Sequence, residues 1–167
     1  MFRRRPRSAD PGDPASRPAD VFLGLRQQIF SLDPADVGLH APLWGCVMET
    51  GYPEGTATLV CLADGTTSLY TSSGFGIIGG HGHESVVRAN SELLRLLGQH
   101  LAQMAPSSDQ SLPSGGRTII RALTTTGQRT FGDSENELGE GRSPMSPVFH
   151  RAHAVITQLR LIDEARR

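Results

Sequence analysis

The chain has 167 residues and a formal net charge of −1, a length that fits one domain and a charge that argues against a general polyanion-binding protein. Its 16 basic residues are all arginine, a bias typical of high-GC bacterial genomes, and 37% of the residues are hydrophobic, enough for one modest core. No stretch has the ~18 consecutive apolar residues of a membrane span or the pattern of a signal peptide. We therefore predict a cytoplasmic protein without membrane contacts.

The first residues contain prolines and arginines but almost nothing to bury, so we predict a disordered tail over 1–18 and a single α+β domain over 19–163. Four arginines cluster in this tail, namely Arg3, Arg4, Arg5 and Arg7. Aromatic side chains do not alternate with them, as they do in many nucleic-acid-binding segments. Nucleic-acid binding is therefore not expected.

Helical periodicity comes first and strand periodicity follows. Phe22, Leu25 and Ile29 recur at helical spacing, which predicts a helix from an N-cap at Asp20 to the Asp33-Pro34 pair. The segments LWGCVMETG, TATLVCLA and TTSLYTSS then predict three strands, separated by YPEG and by an Asp-Gly turn. Both faces of these strands carry apolar residues, so we expect both to be covered. The alternation assigns one face Trp44, Met48 and Leu59, and the other Leu43, Val47, Val60, Leu62 and Leu69.

The first hairpin carries both cysteines of the chain. If residues 52–55 form a four-residue loop, facing positions add up to 107 and Cys46 lies opposite Cys61. Their Cα atoms would then be about 4.5–5.5 Å apart, within reach of a disulfide. A cytoplasmic compartment favours two reduced, buried thiols instead. The register therefore predicts a cross-strand pair of free cysteines.

Residues 84–104 have the clearest helical pattern, with an apolar stripe formed by Val86, Leu93, Leu97, Leu101 and Met104. Asn90 lies within this stripe, so we predict a structural role in which its amide bonds sheet backbone or a partner. A PSSDQSLPSGG loop follows, and then a hairpin built from RTIIRALTTT and residues 128–131. GDSENELGEGRSPMSP is predicted to be a flexible acidic loop, and the last helix to begin near Pro147.

The predicted order is α-βββ-α-ββ-α, an α+β domain in which a five-stranded antiparallel sheet has helices on both faces. Over residues 20–162 this order resembles the roadblock branch of the profilin-like folds, although the third strand before the central helix departs from the usual two. Roadblock-like domains commonly dimerise and serve as platforms for small GTPases or other regulators, so the resemblance implies an interaction module. The stretches LWGCVMETGYPEGTATLVCLADGTTSLY and GEGRSPMSPVFH also resemble bacterial proteins, and that resemblance implies no activity.

The segment GFGIIGGHGHES at residues 74–85 has the spacing of a dinucleotide-binding turn, since Gly74, Gly76 and Gly79 match G-x-G-x-x-G. Such a turn needs a helix that opens within the glycines and an acid about 20 residues further on. Here the preceding strand belongs to a hairpin, and the helix opens only near Glu84. We therefore favour a glycine-rich strand end that another segment approaches closely, with ligand binding by the three glycines as the alternative.

Two further constellations suggest chemistry. His81, His83 and Glu84 could hold a metal with a water in the fourth position, but surface capping at a helix start fits the same residues. Acid–base catalysis would need Glu49, Glu54 or acids of the 133–140 loop, whose content is loosely calcium-like without the D-x-D-x-D-G spacing.

We therefore predict a non-enzymatic interaction or regulatory module that binds no cofactor and associates with itself or with another protein. Leu161, which lies off the apolar stripe of the last helix, adds to the expectation of a homodimer. The alternatives are a small metal-dependent hydrolase and a ligand-sensing domain, both built on residues 74–84.

Overall fold

The computed structural model describes residues 17–37 and 41–167, so most of the predicted tail lies outside the described residues. Four α-helices pack on one antiparallel sheet of seven strands, in the order β4-β3-β2-β1-β6-β7-β5. The strands are β1 Leu43–Tyr52, β2 Gly55–Leu62, β3 Thr67–Thr71, β4 Gly76–Ile77, β5 Ala105–Pro106, β6 Arg117–Thr124 and β7 Gly127–Ser134. The helices are α1 Arg17–Phe30, α2 Glu84–Gly98, α3 Glu135–Gly139 and α4 Ser146–Ala165.

The prediction of five strands is wrong, although the α+β class is confirmed. The two additional strands are β4 and β5, each of two residues, which extend the sheet at its two edges. Segments this short carry no alternating pattern, and β5 ends in Pro106, a residue that argues against a strand. Their pairing with β3 and with β7 is a tertiary effect that local periodicity does not encode.

The first hairpin has the predicted register, with Gly51 opposite Thr56 and Cys46 opposite Cys61, but the loop is shorter than the predicted 52–55, because Tyr52 and Gly55 also pair. Both thiols are free and buried. The predicted assignment of Trp44 is wrong, because a β-bulge between Leu43 and Gly45 shifts the alternation. Trp44 therefore packs with Val47 and Val60 rather than with Met48, while Leu43 lies on the Met48 side. Leu69 also lies on the Met48 side, because it faces Leu59 across the β2–β3 pair.

Each face of the sheet has its own core. On one face α2 and α4 bury a large, wholly apolar cluster that includes Met48, Leu93, Ile120, Val155 and Leu159. On the other face α1 covers a smaller cluster of Phe22, Trp44, Val47, Val60, Leu62, Tyr70 and Leu123. The central strands therefore have apolar residues on both sides, as the sequence pattern indicates.

The acidic segment after β7 is helical where a flexible loop was predicted. Ser134 accepts a hydrogen bond from the backbone N–H of Glu137 at 3.1 Å and so caps α3. Leu138 and Met145 are fully buried beneath this segment, which fixes it against α4. The Ser-x-x-Glu pattern at 134–137 is a helix-start signal that the prediction missed.

The other helix limits differ from prediction by small amounts. α1 begins at Arg17 rather than at an Asp20 cap, and α2 ends at Gly98, before a 3-10 turn over Leu101–Gln103. α4 begins at Ser146 with a proline in its first turn, as Pro147 predicts. None of the described helices combines the length and apolarity that crossing a membrane requires.

Candidate functional site

The glycine-rich segment 74–83 forms a sheet edge and a tight turn rather than a phosphate cradle. Gly76 belongs to β4, and Gly74 and Gly79 adopt positive φ angles of 105° and 86°. The backbone N–H groups of Gly74 and His83 donate to Thr71 and Gly80 oxygens, so they do not converge on an open anion site. α2 begins only at Glu84, which leaves no helix start among the glycines.

Gly80 lies where neighbouring elements pack closely against the backbone of this segment. Gly80 is buried, and a Cβ built on it would lie 2.8 Å from Leu159 and 2.9 Å from Val86. The carbonyl oxygen of Thr67 would be 3.2 Å away. Two helices, α2 and α4, and the strand β3 therefore approach this backbone closely, as the interpretation favoured over nucleotide binding predicts.

The predicted metal residues do not converge. The side chain of His83 accepts a hydrogen bond from Arg166 at 2.8 Å, Glu84 pairs with Arg88 at 3.2 Å, and His81 is exposed. Over residues 17–37 and 41–167, no three His, Cys, Asp or Glu side chains are arranged so that they could hold a metal ion. The structure therefore does not bring His81, His83 and Glu84 together.

A groove lies between α1 and β4, and we call it the edge groove. Its lining is almost entirely apolar and carries no charged side chain: Val21, Phe22, Leu25, Tyr70, Thr71, Gly74, Phe75, Gly76 and Ile78. Val21, Phe75 and Ile78 are 60%, 39% and 63% exposed. Two of the predicted ligand-binding glycines, Gly74 and Gly76, therefore lie in an apolar groove, while Gly79 stands in open space.

The backbone of β4 is open along this groove. The N–H of Thr71 donates to the carbonyl of Phe75 at 2.8 Å, so Phe75 points its backbone groups towards β3. Because inward and outward pairs alternate along antiparallel strands, Gly76 points its N–H and C=O away from the sheet. The edge groove thus combines exposed apolar side chains with an edge that could accept another strand.

A charged cluster is buried beneath α1, and its members could not be recognised as partners from their positions in the sequence. Glu49 on β1 is fully buried and binds Arg26 of α1 through two contacts of 2.9 Å. Arg121 of β6 donates to the same carboxylate, and the Thr58 hydroxyl donates to it at 2.6 Å. Every lone pair of Glu49 is thereby engaged, so this carboxylate is not free to act as a general base.

The two guanidinium groups also hold the loop that covers them. Arg121 donates to the carbonyl of Ser111 at 2.7 Å, and Arg26 donates to that of Gln110. The ring of Phe30 lies over both guanidinium groups, with centroid distances of 4.8 Å to Arg26 and 5.4 Å to Arg121. Burial lowers the pKa of Arg121, while the Glu49 charge opposes that shift. The cluster therefore fastens α1 and the 107–116 loop to the sheet.

A second cavity, which we call the α4 cleft, lies on the other face of the sheet. It measures about 460 Å³ and runs between α4 and the ends of β1–β3. His153 lines it, and its Nε2 atom is buried without a hydrogen-bond partner among the described residues. Burial, followed by the nearby His150 and Arg160, lowers the pKa of His153 and favours a neutral imidazole. The other predicted acid, Glu54, lines the same cleft from an exposed turn.

The two cysteines supply no reactive nucleophile, and the acids of the 133–140 segment form no calcium site. Burial raises the pKa of Cys46 to about 12, and burial together with the neighbouring thiol raises that of Cys61 well above its usual value. Such thiols are poor nucleophiles, because the thiolate is the reactive form. Asp133 lies within β7 and Asn136 within α3, so these residues form no cation-binding loop.

No protein-family model matches the sequence, and searches of curated proteins and of solved structures also found no match. The geometry of the edge groove, the buried cluster and the α4 cleft is therefore what bears on function.

Proposed function

We propose that this domain is a non-enzymatic interaction module that forms a homodimer through the edge groove. The observation that carries the proposal is the concentration of exposed apolar side chains beside an open strand edge. Val21, Phe75 and Ile78 are half of the large hydrophobic residues exposed in the described chain, the others being Leu23, Leu112 and Leu161. Exposed apolar patches on small domains commonly mark contact surfaces.

A second copy of the chain fits this surface better than a charged partner. The edge groove has no charged lining residue, so it offers nothing for charge complementarity. An apolar patch is complementary to itself across a two-fold axis. Gly76 has no side chain, and an antiparallel copy of β4 could approach it closely and satisfy its outward N–H and C=O.

Two other features accord with this role. The resemblance to roadblock domains implies dimerisation and a platform for regulators. Two free, buried cysteines placed opposite each other fit a reducing, cytoplasmic compartment. The buried cluster supports the same surface indirectly, because it fixes α1, which forms one wall of the edge groove.

The test is the oligomeric state of the protein and of two charge-inserting variants, measured by analytical ultracentrifugation. We expect the natural chain to be a dimer at high micromolar concentration and Ile78→Glu to be a monomer. Leu161→Glu is the matched control, because Leu161 is 54% exposed on α4, away from the edge groove. A strictly monomeric natural chain would overturn the proposal, and dissociation by Leu161→Glu alone would move the interface to α4.

A further inference from the structure

The α4 cleft has the size and lining of a small-molecule site. Its volume of about 460 Å³ lies within the range of roughly 300–1,000 Å³ that is usual for ligand pockets. Its apolar lining comes from both layers, with Ala57 and Leu69 on the sheet and Ile156 on α4. Phe75 adds an aromatic edge. A compact apolar body could thus be enclosed between sheet and helix.

Arg160, Tyr52 and His153 are polar residues of the cleft wall. Arg160 presents a guanidinium group that has no carboxylate within salt-bridge distance among the described residues, and Tyr52 presents a hydroxyl. Burial, the nearby Glu135 charge and a hydrogen bond to the Glu135 carboxylate raise the pKa of Tyr52, so this hydroxyl keeps its proton and is already engaged. The unpartnered Nε2 of His153 belongs to the same wall. Because buried polar atoms are normally hydrogen-bonded, the wall has unused capacity.

We infer that the α4 cleft binds a small amphipathic monocarboxylate, with the carboxylate on Arg160 and the apolar body against Leu69 and Ile156. A guanidinium binds a carboxylate through two parallel hydrogen bonds, which fixes the orientation of the ligand as well as its charge. Glu54 is the one acidic residue that lines the cleft, and it lies on an exposed turn at the rim. A primary amine on the same apolar body would have Glu54 and Glu135 as counter-charges but would be repelled by Arg160.

The experiment compares octanoate, octylamine and octanol by isothermal titration calorimetry with the full chain. Octanoate is expected to bind saturably with one molecule per chain. The amine and the alcohol should bind at least about tenfold more weakly, since a hydrogen bond to a charged group is worth about 1.5–3 kcal/mol. Failure of octanoate to bind at millimolar concentration, or equal affinity for the amine, would overturn the inference.

Two variants locate the site. Arg160→Gln should weaken octanoate binding about tenfold and leave octanol binding unchanged, because only the charge is removed. Ala57→Leu should weaken both ligands by filling the cleft. The control is Arg151→Gln, which changes an arginine of α4 that faces Glu92 and does not line the cleft. Unchanged octanoate affinity in Arg160→Gln would exclude the assigned carboxylate contact, whatever the oligomeric state of the protein.

Discussion

The two faces of the sheet are held by different forces. The α2 and α4 face is a continuous apolar core in which buried positions such as Leu93, Val155 and Leu159 exclude water completely. The α1 face has a smaller apolar core, and its centre is the ion cluster of Arg26, Glu49 and Arg121. Apolar packing is tolerant of small rearrangements, whereas a buried ion pair is favourable in one geometry alone.

This difference indicates that the large core supplies most of the stability and that the cluster specifies where α1 lies. The carboxylate of Glu49 can be satisfied only when α1 brings Arg26 to it and β6 brings Arg121. Buried ion pairs contribute little net free energy, because desolvation offsets their attraction, but the loss of one member is costly. The predictions below separate these contributions, from the largest effect to the smallest.

Substitution of Glu49 should have the largest effect. Glu49→Gln leaves two guanidinium groups buried without a counter-charge, and breaking such a cluster costs about 3–5 kcal/mol in the free energy of unfolding. Urea unfolding should be followed by the fluorescence of Trp44, which is buried on the α1 face and is the single tryptophan of the chain. Circular dichroism follows the helices as a whole.

Two further variants test whether the loss of stability in Glu49→Gln comes from breaking the buried charged cluster. Glu54→Gln alters an exposed acid and should change the stability by less than about 0.5 kcal/mol. The triple variant Arg26→Met, Glu49→Leu and Arg121→Met should recover most of the stability, because an apolar replacement removes the desolvation cost. If Glu49→Gln is as stable as the natural chain, the cluster does not fix α1.

On the apolar face, Gly80→Ala should be the next most damaging change. The new methyl group would be forced against Leu159 and Val86, and such overpacking typically costs about 1–3 kcal/mol. Gly82→Ala is the matched control, since a Cβ there meets nothing within 4 Å. Thermal melts of the two variants should therefore differ clearly, and equal melting temperatures would mean that α4 moves away without cost.

Asn90→Ala should lower the free energy of unfolding by about 1 kcal/mol, the lower end of the range for removing a buried hydrogen-bonding group. The side-chain amide donates to the carbonyl of Leu62 at 3.1 Å and to the Thr67 hydroxyl at 2.8 Å. The Leu62 carbonyl also accepts from the N–H of Gly65, so it keeps a partner in the variant. Chemical denaturation measures the change, and a loss above about 3 kcal/mol would show that the amide has a further role.

Acidification should produce the smallest effect, through His153. Its pKa in the folded protein is below the ordinary 6.5 because of burial, so protons bind preferentially to the unfolded chain. The contribution of His153 to the free energy of unfolding is then fully present above pH 6.5 and decreases as the pH drops below that value. The nearby charged groups are His150 and Arg160 on α4, with Glu54 in the same cleft.

The measurement for His153 is the melting temperature between pH 7.5 and 5.5, a range in which carboxylates stay ionised. His153→Gln should flatten the decline on acidification. The exposed His150 provides the control, and His150→Gln should retain most of the decline. The same slope in both variants would assign the pH dependence to another group.

The register of the first hairpin and the helices α2 and α4 could be predicted because local spacing determines them. Loop length sets the pairing of Cys46 with Cys61, and a strong apolar stripe defines α2. The face on which Trp44 lies could not be predicted in this way, because the bulge at Leu43–Gly45 adds one residue and reverses the alternation of faces. The helix-start signal at Ser134 is present in the sequence, but the acidic, glycine-containing composition around it favours a loop.

The candidate sites were far less predictable than the fold. Arg26, Glu49 and Arg121 come from three elements that are distant in sequence, and nothing in their spacing marks them as partners. The α4 cleft likewise joins the ends of the first strands to the last helix. Residues such as His81 and Gly79 are conspicuous in the sequence because they lie close together along the chain, and proximity in sequence is a poor guide to tertiary contacts.

Pro106 sets a limit on how many copies can join by edge pairing. Ser107 donates its N–H inward to Gln128 at 3.0 Å, so residue 106 would point an N–H outward, and proline has none. At the β5 edge of the sheet an added strand would therefore find no N–H donor at residue 106, whereas at the β4 edge Gly76 offers both an N–H and a C=O. In the proposed dimer, association through Gly76 would use the β4 edge of both copies, and Pro106 would disfavour the addition of a further copy at β5.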